Sequence, residues 1–67
     1  MNNFGKKLRL LRNEKQISTK ELAKILRVKP STIFKWENGL KLPRLRYIRY
    51  IAVFFDVSAD YLVGLED

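Results

Sequence analysis

Residues 28–39 read VKPSTIFKWENG. Pro30 suits the first position of a helix, where its missing amide is no loss, and it disfavours helical geometry in the residue before it. Gly39 can take the left-handed conformation that ends a helix. The stretch therefore predicts a helix over roughly residues 30–38. If Ile33 and Trp36, one turn apart, face a core, then Ser31, Thr32 and Lys35 lie on the opposite side, near the N-terminal end.

The helical period continues on both sides of this segment. Phe4, Leu8, Leu11 and then Ile17 place an apolar stripe on a first helix of roughly residues 3–15, with Leu10 off the stripe and half exposed. Ser18-Thr19-Lys20-Glu21 has capping-box spacing, so a second helix starts at Ser18 or Thr19. Its inner positions are Leu22, Ala23, Ile25 and Leu26, and Pro30 prevents it from passing Lys29. Pro43 opens the way to a fourth helix, about 44–55, with Leu45, Ile48, Ile51, Ala52 and Phe55 inward. Ser58, with Asp60 two residues on, caps a short fifth helix ending at Gly64. No strict apolar/polar alternation and no turn joining β-branched runs occurs, so no strand is expected. The fold class is all-α, five short helices in one domain spanning residues 1–67.

Composition narrows the chemistry. The chain has 67 residues, no cysteine and no histidine. Disulfides, thiolate or imidazole metal sites and Ser-His-Asp catalysis are outside its repertoire, and no cofactor is expected. The longest apolar run, Tyr50 to Phe55, is far short of a membrane span. The N-terminus lacks the apolar core of a signal peptide. A soluble, cytoplasmic domain is the expectation.

Charge is distributed unevenly. Fourteen Lys and Arg face seven Asp and Glu. Residues 1–55 hold every base and only Glu14, Glu21 and Glu37, whereas Asp56, Asp60, Glu66 and Asp67 follow with no base among them. A basic body with a pI near 10.1 is the electrostatic footprint expected for nucleic acid.

Two short helices joined across residues 27–29 have the form of a helix-turn-helix unit, a feature that small helical bundles also contain. The side chains of the second helix sharpen it. Small hydroxyls at Ser31 and Thr32 and one long cation at Lys35 form a slim surface that can enter a major groove about 12 Å wide.

Residues 4–64 resemble the Cro/repressor-type helix-turn-helix family, also called the xenobiotic-response-element family. The likeness is carried by GKKLRLLR at 5–12, ELAKIL at 21–26, STIFKWENG at 31–39, Pro43, and AVFFDVSADYLVG at 52–64. It implies a compact five-helix, lambda-repressor-like domain, symmetric dimers on palindromic operators, and regulation of transcription. Matched residue by residue, it places Ser31, Thr32 and Lys35 at base-reading positions, with Lys29 and Pro30 beside them. Thr19 stands where the family commonly has a Gln that contacts phosphate or a base. Asn38, Lys41 and Arg44 lie where the family grips the sugar-phosphate backbone. Arg12 and Glu37 match a pair that forms an internal salt bridge beside the DNA face. The chain departs from the family at Arg27, where Gly is usual in the turn. Lys29 replaces the usual Ser or Thr cap, and Thr19 is shorter than Gln.

The reading is a sequence-specific binder of double-stranded DNA, a transcriptional repressor acting by occupancy as a homodimer, with no small-molecule ligand and no membrane partner. Trp36 as a base-stacking platform is outweighed by Trp36 as core, and Lys6, Lys7 and Arg9 read as a solvated face. Tyr47, Tyr50 and Phe54 recur at i, i+3 and i+7 on a second face of the fourth helix, a candidate dimer seam rimmed by Tyr61 and Leu65. The rival is a protein-interaction module, of antitoxin or anti-repressor type, that uses this aromatic stripe. A cationic membrane-surface peptide would be disordered in buffer, and no acid/base pair supports an enzyme.

Overall fold

The computed structural model describes residues 3–65 as five helices, with no strand among them. They are α1 (Phe4–Glu14), α2 (Thr19–Leu26), α3 (Pro30–Glu37), α4 (Leu45–Phe55) and α5 (Ala59–Leu62). One core joins them, built on Phe4 and Leu8 of α1, Leu22, Ala23 and Leu26 of α2, and Ile33 and Trp36 of α3. Ile48, Ile51, Ala52 and Phe55 of α4 and Leu62 of α5 complete it. The five-helix, all-α expectation holds.

Local chemistry sets the starts of α2 and α5. Ser18 accepts from the amide of Glu21 at 3.0 Å, and the Glu21 carboxylate accepts from the amide of Ser18 at 3.0 Å, the reciprocal capping box. Those bonds stabilise the ionised carboxylate and lower the Glu21 pKa. Ser58 caps α5 by accepting from the Tyr61 amide at 2.9 Å. Lys29 precedes α3 and contributes no side-chain cap.

The helix ends share one device. Gln16, Arg27, Gly39, Asp56 and Gly64 follow the five helices in turn, each with φ between 55° and 83°. In every case the next amide reaches back five residues: Ile17 to Arg12, Val28 to Ala23, Leu40 to Lys35, Val57 to Ala52, and Leu65 to Asp60. This is the Schellman closure, which satisfies carbonyls left open at a helix C-terminus. Each residue that donates this bond is apolar. Ile17, Val28 and Val57 fold back against the core, tying the closure to packing. Arg27 therefore does take left-handed geometry, at φ 58° and ψ 44°.

Two expected inner positions are not inside. Ile25 is 46% exposed and Leu45 is 69% exposed. Ile25 flanks an open groove between α2 and α4, which those helices do not close. Leu45 has the core-facing period but sits on the first residue of α4, with nothing packed over it.

Gly5 allows α1 to meet α3 at backbone distance. A Cβ there would stand 2.4 Å from the Glu37 carbonyl oxygen and 2.6 Å from that of Trp36. No side chain fits, so this contact fixes how α3 is presented.

Candidate nucleic-acid interface

The orientation of α3 follows from what it buries. Ile33, Trp36 and Glu37 are buried, and Ser31, Phe34, Lys35 and Asn38 are exposed. With 3.6 residues per turn, Ser31, Lys35 and Asn38 lie along the centre of the outward strip. Thr32, half-buried, is on one flank and Phe34 on the other. Pro30 and Lys29 are exposed at the start of the helix.

Glu37 anchors the strip from behind. Its carboxylate accepts from Arg12 Nε at 2.7 Å and Nη2 at 3.2 Å, a two-pronged pair, and from Arg9 Nε at 3.4 Å. Arg12 Nη1 also donates to the Ile17 carbonyl at 2.9 Å, locking the α1–α2 corner to the same pair. Hydrogen bonding to Glu37 raises the Arg12 pKa, and partial burial opposes that rise. A carboxylate this enclosed is costly without matched donors, and here the matched arginines come from α1. The arrangement joins α1 to the C-terminal end of α3.

Arg9 has a role that composition did not disclose. Besides Glu37, its Nη2 donates to Asn38 Oδ1 at 3.3 Å, while Asn38 Nδ2 donates to the Phe34 carbonyl at 2.8 Å. Arg9 is one turn from Arg12 on α1, so both look at Glu37; that spacing was the available signal. Lys7 turns elsewhere. Its Nζ donates to the Tyr61 carbonyl at 2.7 Å and lies 4.6 Å from the centre of the Tyr61 ring, clasping α5.

Basic side chains bracket the outward strip. Lys41 and Arg44, both exposed, line a notch with Thr32, Val28, Trp36, Tyr47 and the buried Pro43. Lys6 and Arg9 line a second hollow with Asn38 and Gly39. Thr19 opens α2, half-buried, and lines neither hollow. The structure thus groups Thr32 with Lys41 and Arg44, and Asn38 with Arg9. Among the described residues, no cluster of acids could hold a metal, and no helix is long and apolar enough to cross a membrane.

The aromatic stripe on α4 is divided between the fold and its surface. Tyr47 is half-buried with its ring 5.5 Å from that of Trp36, which is core. Phe54 is half-buried beside Phe55, with Lys15 Nζ 5.4 Å above its ring. Tyr50 is exposed. Tyr61 is engaged by Lys7, and Leu65 is exposed. Open apolar surface includes the groove lined by Ile25, Leu26, Tyr50, Val53 and Phe54, with Arg27 at its margin. Val53 is 81% exposed and was not among the expected seam residues.

Comparison with known proteins adds two findings. A family model described as helix-turn-helix matches residues 8–62. The chain is also similar to the HTH-type transcriptional activator BcrR of Enterococcus faecalis, 36% identical over 64 residues. That alignment covers 96% of this chain and 31% of the relative, so the chain spans about a third of that protein's length.

Proposed function

The chain belongs to the helix-turn-helix family of DNA-binding transcription regulators, and on that premise we propose that it reads a specific duplex sequence by placing α3 in the major groove. The observation that supports this most is the division of α3. Ile33, Trp36 and Glu37 hold the helix from behind, while Ser31 and Lys35 stand outward on a narrow, rigid edge. Ser31, Thr32 and Lys35 read base edges: Lys35 donates to guanine O6 or N7, and the hydroxyls donate or accept as the base requires. Lys41 and Arg44 on one side, with Asn38, Lys29, Pro30 and Thr19, contact or adjoin the sugar-phosphate backbone and set register. Arg12 and Glu37 position α3 and touch no base.

The protein acts in the cytoplasm as a symmetric homodimer on a palindromic site, with half-sites about 10 bp apart. Exposed Ile25, Tyr50 and Val53 make the α2–α4 groove an apolar surface that can serve for pairing. It represses by occupying the operator. BcrR is named an activator, but it is about three times as long as the aligned segment. The sign of regulation depends on where the site lies relative to a promoter, as well as on the DNA-binding domain. The same groove favours one rival, a module that captures a protein partner.

Selection of bound sites from random duplex DNA at stated salt tests the proposal. A palindromic consensus is expected, with Lys35→Ala relaxing the preference at one position per half-site. Equal affinity for every duplex offered refutes sequence-specific binding. A non-palindromic consensus refutes the symmetric dimer. Retained operator binding after joint substitution of Thr32 and Lys35 refutes their assigned roles. Placing the selected site over, then upstream of, a promoter in a transcription assay tests repression.

A further inference from the structure

We propose that Phe34 is a specificity-determining residue that reads thymine through its 5-methyl group, a role that rests on the DNA-binding reading above. Phe34 is 57% exposed, although it belongs to an aromatic class usually withdrawn from water. It stands in the row Pro30–Phe34–Asn38 of α3, on the flank of the outward strip away from Thr32. Apart from Pro30, its neighbours on that surface are polar: Ser31 one turn before, Lys35 beside it, and Asn38 one turn after. It is the large apolar residue among the exposed side chains of α3. It does not line the α2–α4 groove, so pairing through that groove would leave it uncovered.

The backbone under it is held firmly. The Phe34 carbonyl accepts from Asn38 Nδ2 at 2.8 Å and from the Asn38 amide at 3.0 Å. Asn38 is in turn held by Arg9, which also engages Glu37. The ring is therefore mounted on the face proposed to enter DNA, on a support tied to α1.

Base-edge chemistry selects the target. In the major groove, guanine and adenine present N7 acceptors with O6 or an amino group, and cytosine presents an amino group. An aromatic ring pressed on those groups strips water from them and returns no hydrogen bond. Thymine alone presents a methyl group there. Contact with that methyl removes apolar surface on both partners from water, worth roughly fourfold in affinity for one buried carbon group. Ser31, Lys35 and Thr32 offer polar contacts, so Phe34 adds a readout of a different kind to the same helix.

The test pairs base chemistry with substitution. A site selected by the wild-type chain from random duplex DNA is rebuilt with deoxyuridine replacing each thymine in turn, which deletes one methyl and leaves Watson–Crick pairing intact. One thymine per half-site is expected to show a loss of about fourfold. The Phe34→Ala variant is expected to bind more weakly and lose that dependence, while Lys35→Ala retains it. Phe34→Leu, which keeps an apolar side chain, should retain part of it. Far-UV circular dichroism checks that each variant folds, as expected for an exposed position. If the wild type is indifferent to uridine at every position, or if Phe34→Ala keeps the full dependence, the methyl contact is wrong while DNA binding stands. If no site is selected at all, the DNA-binding reading falls and takes this role with it.

Discussion

Replacing Gly5 with alanine sets two physical effects against each other, and the fold decides the sign. By helix propensity alone, Gly→Ala at this position of α1 should stabilise the chain by up to about 1 kcal/mol. In the structure the added Cβ stands 2.4 Å from the Glu37 carbonyl oxygen, 2.6 Å from the Trp36 carbonyl oxygen and 2.8 Å from the Glu37 carbonyl carbon. Carbon atoms in favourable contact sit about 3.5–4.0 Å apart, so α1 and α3 would have to separate by about 1 Å. All three obstructing atoms are backbone, and no rotamer change relieves them. Overpacking costs about 1–3 kcal/mol, and the upper end applies to an immovable neighbour. Subtracting the propensity gain leaves a net destabilisation of about 2 kcal/mol. For a domain of this size each kcal/mol moves Tm by about 4–8 °C, so a fall of about 8–16 °C is expected. Thermal unfolding followed by circular dichroism measures it. A Gly5→Ala protein that melts at or above the wild type would show that propensity governs and that the helices do not meet as described.

Other perturbations give distinct readings. Arg27→Gly should stabilise by about 0.5–1 kcal/mol, since glycine adopts φ 58° without strain yet loses more chain entropy on folding. Arg27→Ala, which keeps a Cβ at that φ, should show no such gain when both variants are unfolded in urea. Glu37→Ala should cost about 3 kcal/mol in denaturant unfolding, because it leaves the largely enclosed Arg12 guanidinium without its carboxylate. Glu37→Gln, retaining one acceptor, should fall between. On a selected operator, Lys41→Ala and Arg44→Ala should each weaken binding across all sequences and reduce the log–log salt slope by about 1. An unchanged slope would remove those residues from the phosphate surface.

Much of this architecture is written locally. Ser18 and Glu21 specify the start of α2 within four residues. Pro30 and Gly39 bracket α3, and Ser58 caps α5, because these signals act through bonds to their own neighbouring amides. The uneven charge and the outward placement of Ser31 and Lys35 follow from composition and from the 3.6-residue period. The pairing of Arg12 with Glu37 came instead from the family resemblance, since the two stand 25 positions apart. Periodicity alone does not say which helices meet.

Where residues lie far apart in the chain, the packed fold decided the outcome. Ile25 and Leu45 have the spacing of inner residues, yet neighbouring helices do not cover them. Tyr47 and Phe54 share a stripe with Tyr50, yet Trp36 and Lys15 draw them partly into the fold while Tyr50 stays in water. Arg9 reads as a solvated cation until Glu37 and Asn38 are brought to it. The sequence by itself determined the order and approximate extent of the helices and which face of α3 carries polar groups, because capping and periodicity are short-range. Only the tertiary structure decided which surfaces stayed open and which cations were already committed, because burial depends on what another part of the chain places alongside.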